Sequence, residues 1–297
     1  MTTATDQERS LISPADRKRG PVRISLLAIQ IVVLAGLVIA GIGPIAWLLK
    51  AALSTTQDSL RRPLALFPSG VHWQNVVDAW TVGHIGQSLL NTLLLALGSL
   101  VANLIVATTA AYVLSILRPK WGGVLSAAIL ATLFIPSVVP LVPLYLTIVR
   151  MPVVHTSLLN TYWAVWLPAA ANAFNTVVIK RFFDSLPPEL FEAAKIDGAG
   201  AWRVFTLIVL PLSRPILGVV SLLTVIASWK DYLWPLLVLQ NPSVQPLAVA
   251  LPTLTNTTTL AVQMAALALT VLIPIVLFLV FQRQFLRGVG MSGGVKG

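Results

Sequence analysis

Twenty-six consecutive residues, 24–49, carry no charged side chain, and the pattern returns down the chain at 79–117, 121–149, 151–179, 215–229 and 232–282. An α-helix rises ~1.5 Å per residue, so about 20 apolar residues cross the ~30 Å hydrocarbon core of a bilayer. Each of the first four runs is long enough for one crossing. The fifth reaches that length only when extended inward past Arg214 to about Ile208, with the arginine snorkelling to the headgroups. In the sixth, Pro242, Pro246, Pro252 and a Thr/Asn run interrupt 240–259, so the crossing is expected from about Leu260 to Gln282. The expectation is an all-α membrane protein with six transmembrane helices over 24–282, a tail at 1–23 and a second tail at 283–297.

Composition agrees. Only 10% of the residues are charged and 57% are hydrophobic, whereas a soluble domain carries about 25% charged residues to face water. The net charge of +10 does not mark a nucleic-acid binder, because the basic residues lie between apolar blocks and form no basic face with interleaved aromatics. Their distribution instead sets orientation. With the N-terminus cytoplasmic, 15 of the 20 lysines and arginines fall in inside segments, and only Lys50, Arg61, Arg62, Arg150 and Lys230 fall outside. The positive-inside rule therefore places both termini in the cytoplasm. The basic N-terminal tail precedes a long apolar run with no small-residue cleavage site, which reads as a retained first helix.

Cysteine is absent, which removes disulfides, thiolate nucleophiles and sulfur-ligated metals together. His72, His84 and His155 have no Asp or Glu at metal-ligand spacing and read as structural. No G-x-x-x-x-G-K-[ST] loop is present to cradle a nucleotide. Trp73 and Trp80, on the outer loop that ends near Gly86, suit an interfacial belt. A short echo, Ser88-Leu-Leu-Asn91-Thr and Ser157-Leu-Leu-Asn160-Thr, has no longer repeat around it.

The longest inside connection, about 181–206, is not an ordinary linker. Leu186-Pro187-Pro188 presets a helix start, Glu189 and Glu192 fall in the first turns where the helix dipole favours anions, Lys195 lies in the last turn, and Asp197-Gly198 ends the element. About eight residues do not persist as an isolated helix in water. Leu190, Ala193 and Ala194, three and four apart, are expected to form one small flat face. That face either rests on the membrane surface or docks a cytoplasmic protein.

Glu192-Ala193-Ala194, followed by Asp197-Gly198 and Leu210-Pro211, resembles the EAA motif of permease subunits from binding-protein-dependent ABC importers. The flanking text is similar to the carbohydrate branch, of the maltose-transporter inner-subunit type: Asn160-Thr-Tyr-Trp163, Leu167-Pro168-Ala-Ala-Ala-Asn172-Ala-Phe174, Arg214-Pro215, Ser228-Trp229-Lys230-Asp231-Tyr232-Leu-Trp234-Pro235, and the tail Gly293-Gly294-Val295-Lys296-Gly297. The resemblance covers the chain from about Ile24 to its end. It implies a cytoplasmic coupling helix between helices four and five, with Glu189, Leu190, Glu192, Ala193, Ala194, Asp197 and Gly198 seated on an ATPase subunit. It further implies a second homologous permease, two ATPase subunits that bind ATP and Mg, an extracytoplasmic solute-binding protein, a carbohydrate or polyol substrate moved by alternating access, and a prokaryotic cytoplasmic membrane. No cofactor is expected in this chain. In maltose-type relatives the outer loop matching 240–259 reaches into the binding protein's sugar cleft.

A substrate path is the second candidate site. Trp229, Tyr232 and Trp234 offer ring faces to the apolar side of a sugar, and Asp231 offers a carboxylate to its hydroxyls; the same residues also suit an interfacial belt. Asn91, Asn172 and Asn175, with Asn103, lie inside apolar runs, where an amide either bonds across helices or lines a polar cavity. Pro136, Pro140, Pro143 and Pro168 would break backbone bonds within the third and fourth crossings. Two other classes fit less of the chain. A secondary transporter needs a proton or sodium site, and this chain has no acidic residue deep in a span. The stretch from Asp197-Gly198 to Arg203 is faintly similar to a phosphatidyltransferase site, but such enzymes hold metal with several aspartates and the next here is Asp231, on the opposite side.

Overall fold

The computed structural model describes residues 20–152 and 155–290, and within them the chain is helical with no strand. The N-terminal tail through Arg19 and the C-terminal Gly293–Gly297 lie outside the described residues. Helix α1 (Gly20–Ala52) is apolar on all sides, and from Ile24 almost its whole length is uncovered by protein. A helix with no polar face and no protein cover is stable only where the surroundings are themselves apolar.

The connection after α1 contains two short helices, α2 (Thr56–Arg61) and α3 (Gln74–Thr81). It is pinned to the end of α1, because Lys50 Nζ donates to the Arg62 carbonyl at 3.0 Å and Trp47 Nε1 to the Pro63 carbonyl at 2.7 Å. Helix α4 (Ile85–Tyr112) continues through a π turn (Val113–Leu117), giving 33 unbroken residues, about 50 Å of helix. Arg118, with φ of 47°, ends it in the left-handed region.

The expected third crossing, 121–149, is not one helix. It is realised as α5 (Gly122–Thr132) and α6 (Leu141–Val149), separated where Pro136 and Pro140 cannot supply backbone N–H groups. The fourth is likewise broken, into α7 (Trp163–Ala170) and α8 (Ala173–Asp184). Two devices repair that second break. Asn172 caps α8 by accepting the Asn175 N–H at 2.9 Å, and Asn103 Nδ2 on α4 donates to the carbonyls of Ala169 at 3.1 Å and Ala170 at 3.4 Å. Side chains thus replace ladder bonds that water cannot supply in a bilayer.

After α9 (Glu189–Ile196) the chain runs through α10 (Ala201–Val204), a π turn (Phe205–Val209) and α11 (Leu210–Leu212), then turns by 77° into α12 (Arg214–Lys230). The expected fifth crossing, extended back to about Ile208, is therefore bent rather than a single straight helix. Pro215, in the first turn of α12, has no N–H to continue the ladder, so a new helix begins at Arg214. Helices α13 (Leu233–Val238) and α14 (Leu247–Thr253) fold the 232–259 stretch, and α15 (Leu260–Gly290) packs against α1, α3 and α12.

Helix α4 is the centre of the bundle, touching α7, α8 and α12 over most of its length. The closest approach is at Gly98, where a Cβ would lie 2.0 Å from Cε2 of Trp166 on α7. Among the described residues, α1 and α4 are each long and apolar enough to span a membrane alone, and the bent α10–α12 pair counts as a third if taken together.

Candidate functional site

The segment around α9 is built from its ends inward. Pro187-Pro188 starts the helix, and Glu189 and Glu192 occupy its first turn. Gly198 ends it with φ of +70°, its N–H donating to the Lys195 carbonyl at 3.1 Å and that of Ala199 to Ala194 at 2.9 Å. A Cβ at that φ is strained, so glycine closes the helix here at the least cost.

The expected flat face of Leu190, Ala193 and Ala194 divides in two. Ala194 is turned inward and joins a core with Tyr112, Phe183, Val204 and Phe205, while Phe191 packs on its rim. Glu189, Glu192, Ala193, Ile196 and Asp197 are exposed, Ile196 at 87%, and Leu190 lies at the border at 38%. The outward side is therefore Glu189, Ala193 and Ile196, spaced i, i+4 and i+7. An isoleucine left this open beside two glutamates marks a surface that offers both apolar area and charge.

Behind α9 lies a recess of about 550 Å³, whose walls include Tyr112, Arg118, Asp184, Phe191, Glu192 and Lys195. At its edge Asp184 accepts from Lys180 Nζ at 2.8 Å and from Ser115 Oγ at 2.7 Å. Burial works to raise the Asp184 pKa, but the hydrogen bonds from Lys180 and Ser115 and the charges of Lys180 and Arg118 outweigh it, and the carboxyl sits below its ordinary value.

The second site is a cavity of about 720 Å³ between α4, α7, α8 and α12. Asn172, Asn175, Asp231 and Trp234 line it together, with Lys230 beside them. Trp234 is held in place because its Nε1 donates to the Ala164 carbonyl at 2.9 Å, which fixes the indole as part of the wall. Asn175 Nδ2 donates to Asn103 Oδ1 at 2.8 Å and to Thr224 Oγ1 at 3.0 Å, tying α4, α8 and α12 at the cavity floor.

The other residues of the expected path lie elsewhere. Asn91 is fully buried, donates to the carbonyls of Ser243 and Gln245 at 2.9 and 3.0 Å, and accepts from Tyr162 and Gln87. Its bonding capacity is spent on protein. Trp229 packs against the core that holds Leu247 and Ala265 and is absent from the cavity lining, and Tyr232 is 43% exposed and also outside that lining. Sequence reasoning did not single out Ser99, Ser137, Thr224 or Ser228, all on the cavity wall. Ser99 is 1% exposed and its hydroxyl has no hydrogen-bond partner. Hydroxyls in apolar helices carry no signal of direction, since most of them satisfy themselves on the preceding turn, as Thr224 does on the Val220 carbonyl.

Residues 103–290 match the family described as the inner membrane component of binding-protein-dependent transport systems. Among relatives, the sn-glycerol-3-phosphate transport system permease protein UgpE of Yersinia pestis bv. Antiqua is 34% identical over 248 residues, covering 80% of this chain and 86% of that protein. The melibiose/raffinose/stachyose import permease protein MelC of Bacillus subtilis is 33% identical over 236 residues, covering 78% and 84%. In fold the chain is similar to a bacterial ABC transporter involved in the import of the acidic polysaccharide alginate, with a TM-score of 0.75, 22% identity, and coverage of 92% of this chain and 99% of that one. The chain belongs to the binding-protein-dependent transport system inner membrane components. Within that class it is the transmembrane permease subunit of an ABC importer.

Proposed function

We propose that this permease carries a carbohydrate or related polyol across a prokaryotic cytoplasmic membrane by alternating access. In this reading the chain crosses the membrane six times with both termini inside, three of the crossings being broken or bent. It works with a second homologous permease, two ATPase subunits that supply ATP hydrolysis, and an extracytoplasmic solute-binding protein. The exposed side of α9, with Glu189, Glu192, Ala193, Ile196, Asp197 and Gly198 and with Leu190 at its border, seats on an ATPase subunit.

One observation carries the substrate reading: Asn172, Asn175, Asp231 and the fixed ring of Trp234 share one cavity between the helices. A ring face suits the C–H side of a sugar, and amides and a carboxylate suit its hydroxyls. The import of melibiose, raffinose and stachyose named for the Bacillus relative supports a neutral saccharide. A second reading, a phosphorylated polyol, is favoured by Lys230 on the same wall and by the glycerol-phosphate relative.

Exchange of Asp231 for Asn tests the path. Uptake of labelled melibiose in cells at matched expression should fall severely while the binding protein still stimulates ATP hydrolysis; unchanged uptake would return Asp231 to a headgroup anchor. Thermal shift of the cognate binding protein with melibiose and with glycerol 3-phosphate separates the two substrates. Orientation is tested with cysteines at Ser185 and Ser69, which should be respectively protected from and labelled by an impermeant thiol reagent in intact cells; the cysteine-free chain gives no background.

A further inference from the structure

The segment that carries α9 leaves the bundle after α8 and returns through α10. Both of its roots are hydrogen-bonded to the same end of α4. On the departing side, Ser115 Oγ donates to Asp184 Oδ1 at 2.7 Å, and Lys180 Nζ holds the other carboxylate oxygen at 2.8 Å. On the returning side, the Tyr112 hydroxyl donates to the Ala201 carbonyl at 2.8 Å. Tyr112 and Ser115 are three residues apart, so they lie on one side of α4. The Tyr112 ring also meets Phe205 at 5.0 Å between centroids, and Ala194 of α9 packs into the same core.

Between residues 184 and 201 the structure records no other side-chain hydrogen bond from α4 to the segment. Both clamping side chains are buried, Tyr112 at 6% and Ser115 at 1% exposure. Bonds shielded from water hold their geometry better than exposed ones, and a buried donor left unmatched is costly.

We infer that Tyr112 and Ser115 are positioning residues that clamp both roots of the α9 segment to α4, so that a displacement of α9 is delivered to α4 as a whole. Helix α4 then carries it to the cavity, where Ser99 lines the wall and Asn103 is bonded to Asn175. The inference rests on the reading of α9 as the ATPase-docking element, and neither clamping residue faces the docking surface.

The test uses the complete transporter in proteoliposomes, with ATP hydrolysis measured without and with the cognate solute-binding protein. Tyr112→Phe keeps the ring and Ser115→Ala keeps the volume, so each removes a hydroxyl and little else. In the double variant, stimulation by the binding protein should fall about tenfold, the size expected from losing two buried bonds in a coupling path, while ATPase-subunit recovery on purification is unchanged. Ser115→Thr, which retains the hydroxyl, should keep stimulation near the unmodified level. Stimulation in the double variant equal to that of the unmodified transporter would overturn the clamp, as would loss of ATPase subunits, which would make these residues assembly contacts. Ala193→Trp, run alongside, separates this from failure of the docking reading: if Ala193→Trp leaves recovery and stimulation intact, α9 is not the docking element, whereas a harmful Ala193→Trp with a silent double variant removes the clamp alone.

Discussion

Helix α4 holds a connecting segment at each end, and it holds them differently. At one end Tyr112 and Ser115 hydrogen-bond only the roots of the α9 segment, and the stretch between them presents Glu189, Glu192, Ala193 and Ile196 to the surroundings. At the other end Asn91 bonds the Ser243 and Gln245 carbonyls, Thr92 Oγ1 accepts the Leu247 N–H at 2.9 Å, and Asn160 Oδ1 accepts the Asn241 N–H at 2.7 Å. Here Val238, Leu239, Leu247 and Val249 are also buried to within 1%. One connection is held by hydrogen bonds and burial along its length; the other is hydrogen-bonded to α4 only at its roots, with Ala194 and Phe191 packed on the core between them. Under the proposed docking role the second arrangement leaves the outward side of α9 free for a partner, while Ala194 and Phe191 keep its inner side on the bundle.

The largest effect should come from the free stretch. Combining Ala193→Trp with Gly198→Val puts bulk on the exposed side of α9 and a β-branched residue at a φ of +70°. Uptake should drop to background and ATPase-subunit recovery should be lost, with normal membrane insertion on immunoblots. Retained uptake would show that the exposed side is not a docking surface.

Next is the locked end. Asn91→Leu leaves the half-buried Gln245 carbonyl and the Tyr162 hydroxyl without their partner and the Ser243 carbonyl with only Gln87 at 3.4 Å, a loss of about 1–3 kcal/mol. Thermal unfolding in detergent reads the total, and hydrogen exchange should show deprotection confined to about residues 239–247. If protection there is unchanged, burial alone fixes the segment and the contrast between the two ends weakens. A smaller step is Thr92→Val, which removes one acceptor at nearly constant shape and should cost about 1–2 kcal/mol.

The smallest effect concerns the root at Asp184. Its pKa is lowered on folding, so the stability it contributes is fully present above the ordinary carboxylate value and is lost as pH falls through the folded one. Unfolding midpoints should therefore be flat from neutral pH down to the ordinary aspartate range and decline only below it. Asp184→Asn should flatten that decline; an identical profile in the variant would show that the ion pair contributes nothing.

The same contrast explains what the sequence revealed. The α9 segment was legible because its limits are written in residues with fixed backbone preferences, Pro187-Pro188 before it and Gly198 after it. The apolar runs were legible because bilayer thickness sets a length. Which side of a helix faces inward was not. Leu190, Ala193 and Ala194 share a face by spacing, yet the packing of Phe191 and Ala194 into the core behind them decides that only part of it is open. Asn91 and Asn175 look alike in sequence, and only helix rotation makes one a staple for a distant segment and the other part of a cavity floor. Trp229 and Trp234 likewise separate, because the helix ends at Lys230 and the chain turns before Trp234. The breaks in the third and fourth runs were signalled by prolines, but the repair of the fourth by Asn103, a residue more than 60 positions away, was not.

The 77° elbow at Ser213 changes how angles convert to distances. Helix α12 has 17 residues, which makes it an arm of about 25 Å. A rotation of about 10° at the elbow sweeps its far end through roughly 4 Å by that length, more than the width of a water molecule. The far end is where Lys230 and Asp231 border the cavity. If the cavity is the proposed substrate path, a small tilt at the elbow would be enlarged at Lys230 and Asp231 in proportion to the length of α12.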